Sequence, residues 1–144
     1  MSIPRLTALI LAFLLALAPG AWGAVTFDWV DHQITTTSQI APQNSMTVCA
    51  WVNLAATFAS GFKNIVGEWN DVATSRSYTL ALGSGVTYGF LNFFVKDSGG
   101  AAKASTGTTA QASFVNTWTH CCGVYDKTGD KIRTYVNGIQ ENET

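Results

Sequence analysis

Trp118-Thr119-His120-Cys121-Cys122-Gly123-Val124-Tyr125-Asp126, then Lys127-Thr128-Gly129-Asp130, then Lys131-Ile132-Arg133-Thr134-Tyr135-Val136-Asn137-Gly138: the fold is decided in these twenty-one residues. Two runs rich in aromatic and β-branched residues flank a polar segment of turn formers. In the second run Ile132, Thr134 and Val136 fall on one face and Lys131, Arg133 and Tyr135 on the other, the period of a strand with one face on a core. Asn137-Gly138 is the strongest short hairpin signal in the chain, because both turn residues tolerate positive φ. The segment reads as strand, turn, strand, turn, with a further strand launched at Ile139. The sequence stops at Thr144, so that strand is short and leaves an open sheet edge. A domain incomplete at its C-terminus is the resulting expectation.

Working outward, Met46 to Val52 reads as a strand apolar on both faces, as in the middle of a sandwich. Tyr78 to Leu82 and Phe90 to Val95 read as two more, bounded by Gly83-Ser84-Gly85 and Asp97-Ser98-Gly99-Gly100. Strands are thus expected over 46–53, 78–82, 90–95, 118–125 and 131–136. Asn64 to Gly67 adds a short one, after which Glu68-Trp69-Asn70-Asp71 reads as a solvated loop. Residues 98–113, mostly Ser, Ala, Thr and Gly, read as a loop with at most one weak edge strand. No long stretch spaces apolar residues three to four apart, so no helix longer than about two turns is expected beyond the N-terminus.

The N-terminus is a separate matter. Arg5 precedes an apolar run from Leu6 to Ala18, Pro19-Gly20 breaks it, and Ala21-Trp22-Gly23 offers small residues to a signal peptidase. Residues 1–23 read as a secretory signal peptide, cleaved after Gly23 or Ala24, and 24–144 as the mature domain. The run is short for a membrane anchor, so no membrane association is expected after cleavage. The mature part keeps seven basic and nine acidic residues, a formal charge of −2, and its basic residues are scattered. That excludes the clustered positive footprint of a nucleic-acid or anionic-membrane binder. The destination is secreted, periplasmic or cell-surface.

Three blocks, in order, resemble one family. Phe27-Asp28-Trp29-Val30-Asp31-His32-Gln33-Ile34 looks like an opening Phe-Asp-Gly-x-Asp-Asp-Tyr-Val strand, with Trp29 in place of Gly and His32 in place of the second Asp. Met46 to Asn53 looks like Phe-Thr-Val-x-Ala-Trp-Val. Trp118 to Asp126 with Tyr135-Val136-Asn137-Gly138 looks like Trp-x-His-Val-Ala-Gly-x-Tyr-Asp and Tyr-Val-Asp-Gly. Together they resemble the laminin-G-like and pentraxin domains of the concanavalin A-like lectin/glucanase superfamily. The resemblance implies an all-β, antiparallel two-sheet jelly-roll sandwich lacking roughly its last third.

It also implies a disulfide. Three cysteines in a secreted chain leave one over, and Cys49 and Cys122 stand where pentraxin domains pair theirs, on facing or neighbouring strands with side chains turned into the same core. A free buried Cys49 is the alternative. Cys121 would face the opposite way, because adjacent strand residues alternate. Calcium, common in the superfamily, is not expected as a cofactor here. Most pentraxin ligands lie beyond Thr144, Arg76-Ser77 stands where an Asp-Asn pair would be, and Asp28 and Asp31 read as satisfying turn amides.

Catalysis is not expected either. Glycan-cleaving relatives carry a Glu-x-Asp-x-x-Glu array, since hydrolysis needs two carboxylates about the scissile bond. That array is absent, and His120 has no visible nucleophile or carboxylate partner. The leading reading is a secreted or cell-surface module that recognises glycans or extracellular proteins. Trp29, Trp69 and Tyr88, near loops, are its candidate ligand-stacking aromatics. A fragment or accessory domain of a jelly-roll glycanase, and a structural module self-associating through the open edge, are the alternatives.

Overall fold

In the computed structural model the described residues are 45–68, 77–83, 89–96 and 101–144. They form eight strands: β1 (Met46–Val52), β2 (Phe62–Glu68), β3 (Ser77–Gly83), β4 (Phe90–Lys96), β5 (Ala102–Ala110), β6 (Thr119–Asp126), β7 (Lys131–Val136) and β8 (Ile139–Glu143). Two four-stranded antiparallel sheets result, ordered β1-β6-β7-β8 and β2-β3-β4-β5. The architecture is the all-β sandwich expected, and the five long strands fall within a residue of their expected bounds at nearly every end. Among the described residues the only helical segment is a 3-10 turn, Gln111–Phe114.

Turn chemistry explains the β6–β7–β8 meander. Asn137 and Gly138 take φ of 50° and 80°, the two positive values of a type I′ hairpin turn. Asp130 adopts φ 54°, and the Asp126 carboxylate accepts a hydrogen bond from the Gly129 amide at 3.0 Å. Side-chain alternation then sends Ile132, Thr134 and Val136 inward, all buried. They meet Leu80, Leu82, Leu91, Phe93 and Val95 from the other sheet, none more than 1% exposed. Burying a side chain of this size stabilises by about 1.5–3 kcal/mol, so this layer is the source of the fold's cooperativity.

Three sequence expectations are corrected. First, residues 102–110 are no weak loop segment: β5 is the longest strand, paired along β4. Its small residues hide it from a hydrophobicity pattern, yet they allow close approach to the opposite sheet. Ser105 Oγ lies 3.2 Å from Thr134 Oγ1 inside the core. Glu141 of β8 accepts hydrogen bonds from the amides of Thr108 and Thr109 at 2.8 and 2.9 Å and from the Thr109 hydroxyl. Second, Glu68 is the last residue of β2, paired with Tyr78, and not part of a loop; a register shift between Asn64 and Val66 lets the strand run on. Third, β1 is not apolar on both faces in the middle of a sheet. It ends the strand order among the described residues, with Met46, Val48, Ala50 and Val52 turned to the core and Thr47, Cys49 and Trp51 exposed.

The Glu141 clamp yields a prediction. A carboxylate taking three donors from the opposing sheet contributes more than a surface ion pair, since charge-assisted hydrogen bonds are worth about 1.5–3 kcal/mol. Glu141→Ala is therefore expected to lower unfolding free energy by about 2 kcal/mol, and amide exchange should accelerate first at Thr108 and Thr109. Unchanged protection of those two amides would count against the clamp.

The passage from one sheet to the other is held by Gln111, 7% exposed. Its Nε2 donates to the Gly83 carbonyl at 2.9 Å, its Oε1 accepts from the Phe58 amide at 2.9 Å, and its own amide donates to the Gly89 carbonyl at 2.8 Å. One buried amide side chain thus ties the β3 exit, the β1–β2 connection and the 3-10 turn. Leu54 and Phe114 are both essentially inaccessible, and the Leu54 amide donates to the Phe114 carbonyl at 3.0 Å.

Candidate functional site

The outer face of the β1-β6-β7-β8 sheet carries the side chains that the core does not use. Register sets them in rows: Trp51 opposite His120, Cys49 opposite Cys122 with Tyr135 beyond it, and Thr47 opposite Val124 with Arg133 beyond. A large side chain on an outer face normally sheds exposure by folding over; Trp51 does not, and remains 64% exposed. It leans on the His120 ring, with centroids 5.1 Å apart and planes at 41°. His120 is fixed from behind, because its amide donates to Asn137 Oδ1 at 3.0 Å and its carbonyl accepts from the Asn137 amide at 2.8 Å. The hairpin signal Asn137-Gly138 therefore also positions the imidazole. Trp118, 54% exposed, lies two residues upstream.

The next row is covalent. Cys49 and Cys122 form a disulfide, with Cα atoms 4.2 Å apart across directly paired strands, the separation of a non-hydrogen-bonded pair. The expected pairing is right and its expected location is not. The bridge lies on the outer face, with Cys49 exposed, whereas the side chain in the core is Cys121, fully buried. The alternation of β6 explains both: Thr119, Cys121, Gly123 and Tyr125 point in, so His120, Cys122 and Val124 point out. His120 Nε2 and Nδ1 stand 3.7 and 3.9 Å from Cys122 Sγ. Cys49, His120 and Cys122 bring their donor atoms within 4.8 Å of one another, but with the two sulfurs joined the cluster offers a cation little beyond the imidazole.

Beyond the disulfide the face ends in a shallow depression of about 350 Å³, bounded by Ser45, Met46, Thr47, Val124, Tyr125, Asp126 and Arg133. Its charges are mutually engaged. Arg133 Nε donates to Glu143 Oε2 at 2.5 Å, Lys131 Nζ lies 3.2 Å from Glu143 Oε1, and Arg133 reaches Asp126 at 3.9 Å. The hydrogen bonds from Arg133 and Lys131 hold the Glu143 carboxyl below the usual carboxylate range, and donating to Glu143 raises Arg133. These are solvent-facing pairs of small energetic weight, and their effect is to hold the guanidinium beside Val124.

Burial, reinforced by the Glu141 carboxylate, pushes the Cys121 thiol up to about 12. Thiolate is the reactive form, so Cys121 is expected to resist iodoacetamide in the native protein through pH 9 and to label on unfolding. Labelling at the native rate of an open thiol would mean that the core admits solvent there.

The sequence candidates Trp29, Trp69 and Tyr88 lie outside the described residues, as do Asp28, Asp31 and the leader. Trp51 was passed over because it sits mid-strand, and mid-strand aromatics usually face a core. Its signal was Thr47: with Thr47, Cys49 and Trp51 on one parity and Met46, Val48, Ala50 and Val52 on the other, the polar residue marks the solvent side.

An antiparallel sandwich of two four-stranded sheets, bearing a cross-strand disulfide and an exposed aromatic row, defines a jelly-roll type of domain. Comparison with family models then places it: the chain belongs to the laminin-G-type family described as the concanavalin A-like lectin/glucanases superfamily, matched over residues 28–144. Comparison with curated proteins and with solved structures gives no match.

Proposed function

We propose that the chain is a secreted or cell-surface, non-catalytic recognition module, exported by residues 1–23 and binding a glycan on the outer face of the β1-β6-β7-β8 sheet. The observation that carries this reading is Trp51, 64% exposed and held against the His120 ring. An indole held open to water offers an apolar plate for the C–H face of a sugar ring. Around it stand hydrogen-bonding groups, Thr47, Tyr135 with Gln140, and Arg133, rather than a broad apolar surface of the kind that protein partners cover. From Trp51 to Thr47 four strand residues span about 13 Å, which suits an oligosaccharide better than a single sugar.

The described carboxylates favour binding over hydrolysis. Of the five described side-chain carboxylates four are engaged: Glu141 holds the sheets together, Glu143 and Asp126 meet Arg133, and Asp130 pairs with Lys103 at 2.6 Å, which leaves Glu68 alone at the end of β2. A glycosidase needs two carboxyl groups free to face a scissile bond. The disulfide and the family favour an oxidising, extracellular compartment, and among the described residues no helix is long and apolar enough to cross a membrane.

The test is a glycan array followed by fluorescence titration of positive oligosaccharides. Trp51→Ala is expected to weaken binding at least tenfold, the loss of about 1.4 kcal/mol or more, while the thermal melt stays within a few degrees. Retained binding in that variant would move the site elsewhere; product release from the oligosaccharide would overturn the non-catalytic reading. Capture of a protein and no glycan would transfer the face to a protein ligand.

A further inference from the structure

The two sulfurs of the bridge are not equivalent. Cys49 is exposed, whereas Cys122 is 9% exposed and has the imidazole of His120 at 3.7 Å. Across the strands Cys122 faces Cys49 and Tyr135, and the Tyr135 hydroxyl donates to Gln140 at 3.0 Å. His120 faces Trp51 and the Asn137 side chain. The charged groups of the face, Asp126, Lys131, Arg133 and Glu143, are bound to one another nearer its far end. Among the described residues His120 is therefore the group in this row that can bring a positive charge to a sulfur. β1 pairs with β6 through seven residue pairs in addition to the sulfur–sulfur bond.

We infer that the bridge is a directional thiol-exchange site, at which a low-molecular-weight thiol or an exposed cysteine of another protein becomes attached to Cys49. The incoming thiolate attacks Cys49 Sγ, the accessible sulfur. The Cys49–Cys122 bond breaks as the new disulfide to Cys49 forms, and Cys122 departs with the electron pair. The departing thiolate takes the proton of the His120 imidazolium, leaving a Cys122 thiol and a neutral ring. No net oxidation occurs: one disulfide is consumed and one made. Direction follows from the access to Cys49 and from the position of the imidazole, 3.7 Å from Cys122 Sγ and within 4.8 Å of Cys49 Sγ, because exchange is faster where the leaving thiolate is better stabilised. The surviving β1–β6 ladder lets the step proceed without unfolding the sheet. This inference does not depend on the glycan reading, although both use the same face.

The test treats the oxidised protein with glutathione at pH 5.5 and pH 8.5, traps free thiols with iodoacetamide, and maps both groups by tandem mass spectrometry. Glutathione is expected on Cys49, the alkyl group on Cys122, and neither on Cys121. His120→Gln, which removes the proton donor beside Cys122, should slow opening roughly three- to tenfold at pH 5.5, compared with wild type at the same pH so that the titration of glutathione itself cancels. His120→Lys, which keeps a cation at that position, should open faster than His120→Gln at both pH values. Glutathione on Cys122, an even split between the two sulfurs, or a His120→Gln rate equal to that of wild type at pH 5.5 would overturn the inference. The wild-type map stands even if a His120 variant folds poorly.

Discussion

Replacing Gly123 with alanine is expected to lower the unfolding free energy by about 3 kcal/mol, and the melting temperature by roughly 10 °C. Gly123 lies in the middle of β6 with its missing side chain directed into the core. A Cβ built there falls within the ring of Phe93, which is itself fully buried and paired across the sheet with Leu80, also inaccessible. The ring cannot yield by rotating, because its neighbours are packed at interior density and overpacking must be absorbed by backbone movement. Glycine in a strand ordinarily weakens it; here it makes the space that an aromatic ring from the opposite sheet fills. Urea denaturation measures the loss. Phe93→Leu added to Gly123→Ala should recover part of it, a coupling that two independent sites would not show. A Gly123→Ala protein within 1 kcal/mol of wild type would mean that the two sheets can separate without penalty at this point.

How much of this could be read from residues alone varies with the kind of signal. The β6–β7–β8 meander is legible to within a residue because its turns use side chains with positive-φ tolerance, and Asn137-Gly138 leaves little choice of geometry. β5 was not legible. Its sequence is Ala, Lys, Ser, Thr and Gly, and what makes it a strand is the pairing with β4 together with contacts to the other sheet: Ser105 with Thr134 and the amides of Thr108 and Thr109 with Glu141. Such tertiary support leaves no local period. The gap at Gly123 was equally invisible, since nothing in one strand announces which ring will cross it from another.

The cysteines show a finer limit. Resemblance supplied the correct pair, and alternation supplied the correct odd one out, yet the face was inverted. The error came from treating β1 as apolar on both sides, which made Cys49 and Trp51 look like core residues. A single polar position, Thr47, with the apolar set at 46, 48, 50 and 52, contains the answer. Reading it would have moved Trp51 and His120 onto the solvent face, where the candidate site now lies.

That placement determines what the disulfide does for stability, and its removal is the second large effect. Cys49→Ala with Cys122→Ala is expected to cost about 4 kcal/mol, because a bridge with a sequence separation of 73 removes that much loop-closure entropy from the unfolded chain. The closed loop contains β2, β3, β4, β5 and the 3-10 turn, that is, the whole of the second sheet. In the folded state little is lost at Cys49, which is exposed, and only the buried Cys122 sulfur leaves a gap when alanine replaces it. The effect should therefore appear in the unfolded ensemble: the urea midpoint falls and the m-value rises, because an uncrosslinked chain exposes more surface on unfolding. Cys121→Ala provides the contrast, removing a buried sulfur and acting through the folded state with the m-value unchanged. If the double variant loses less than about 1 kcal/mol, the unfolded chain must already hold β1 near β6, and the bridge would record a contact that forms without it.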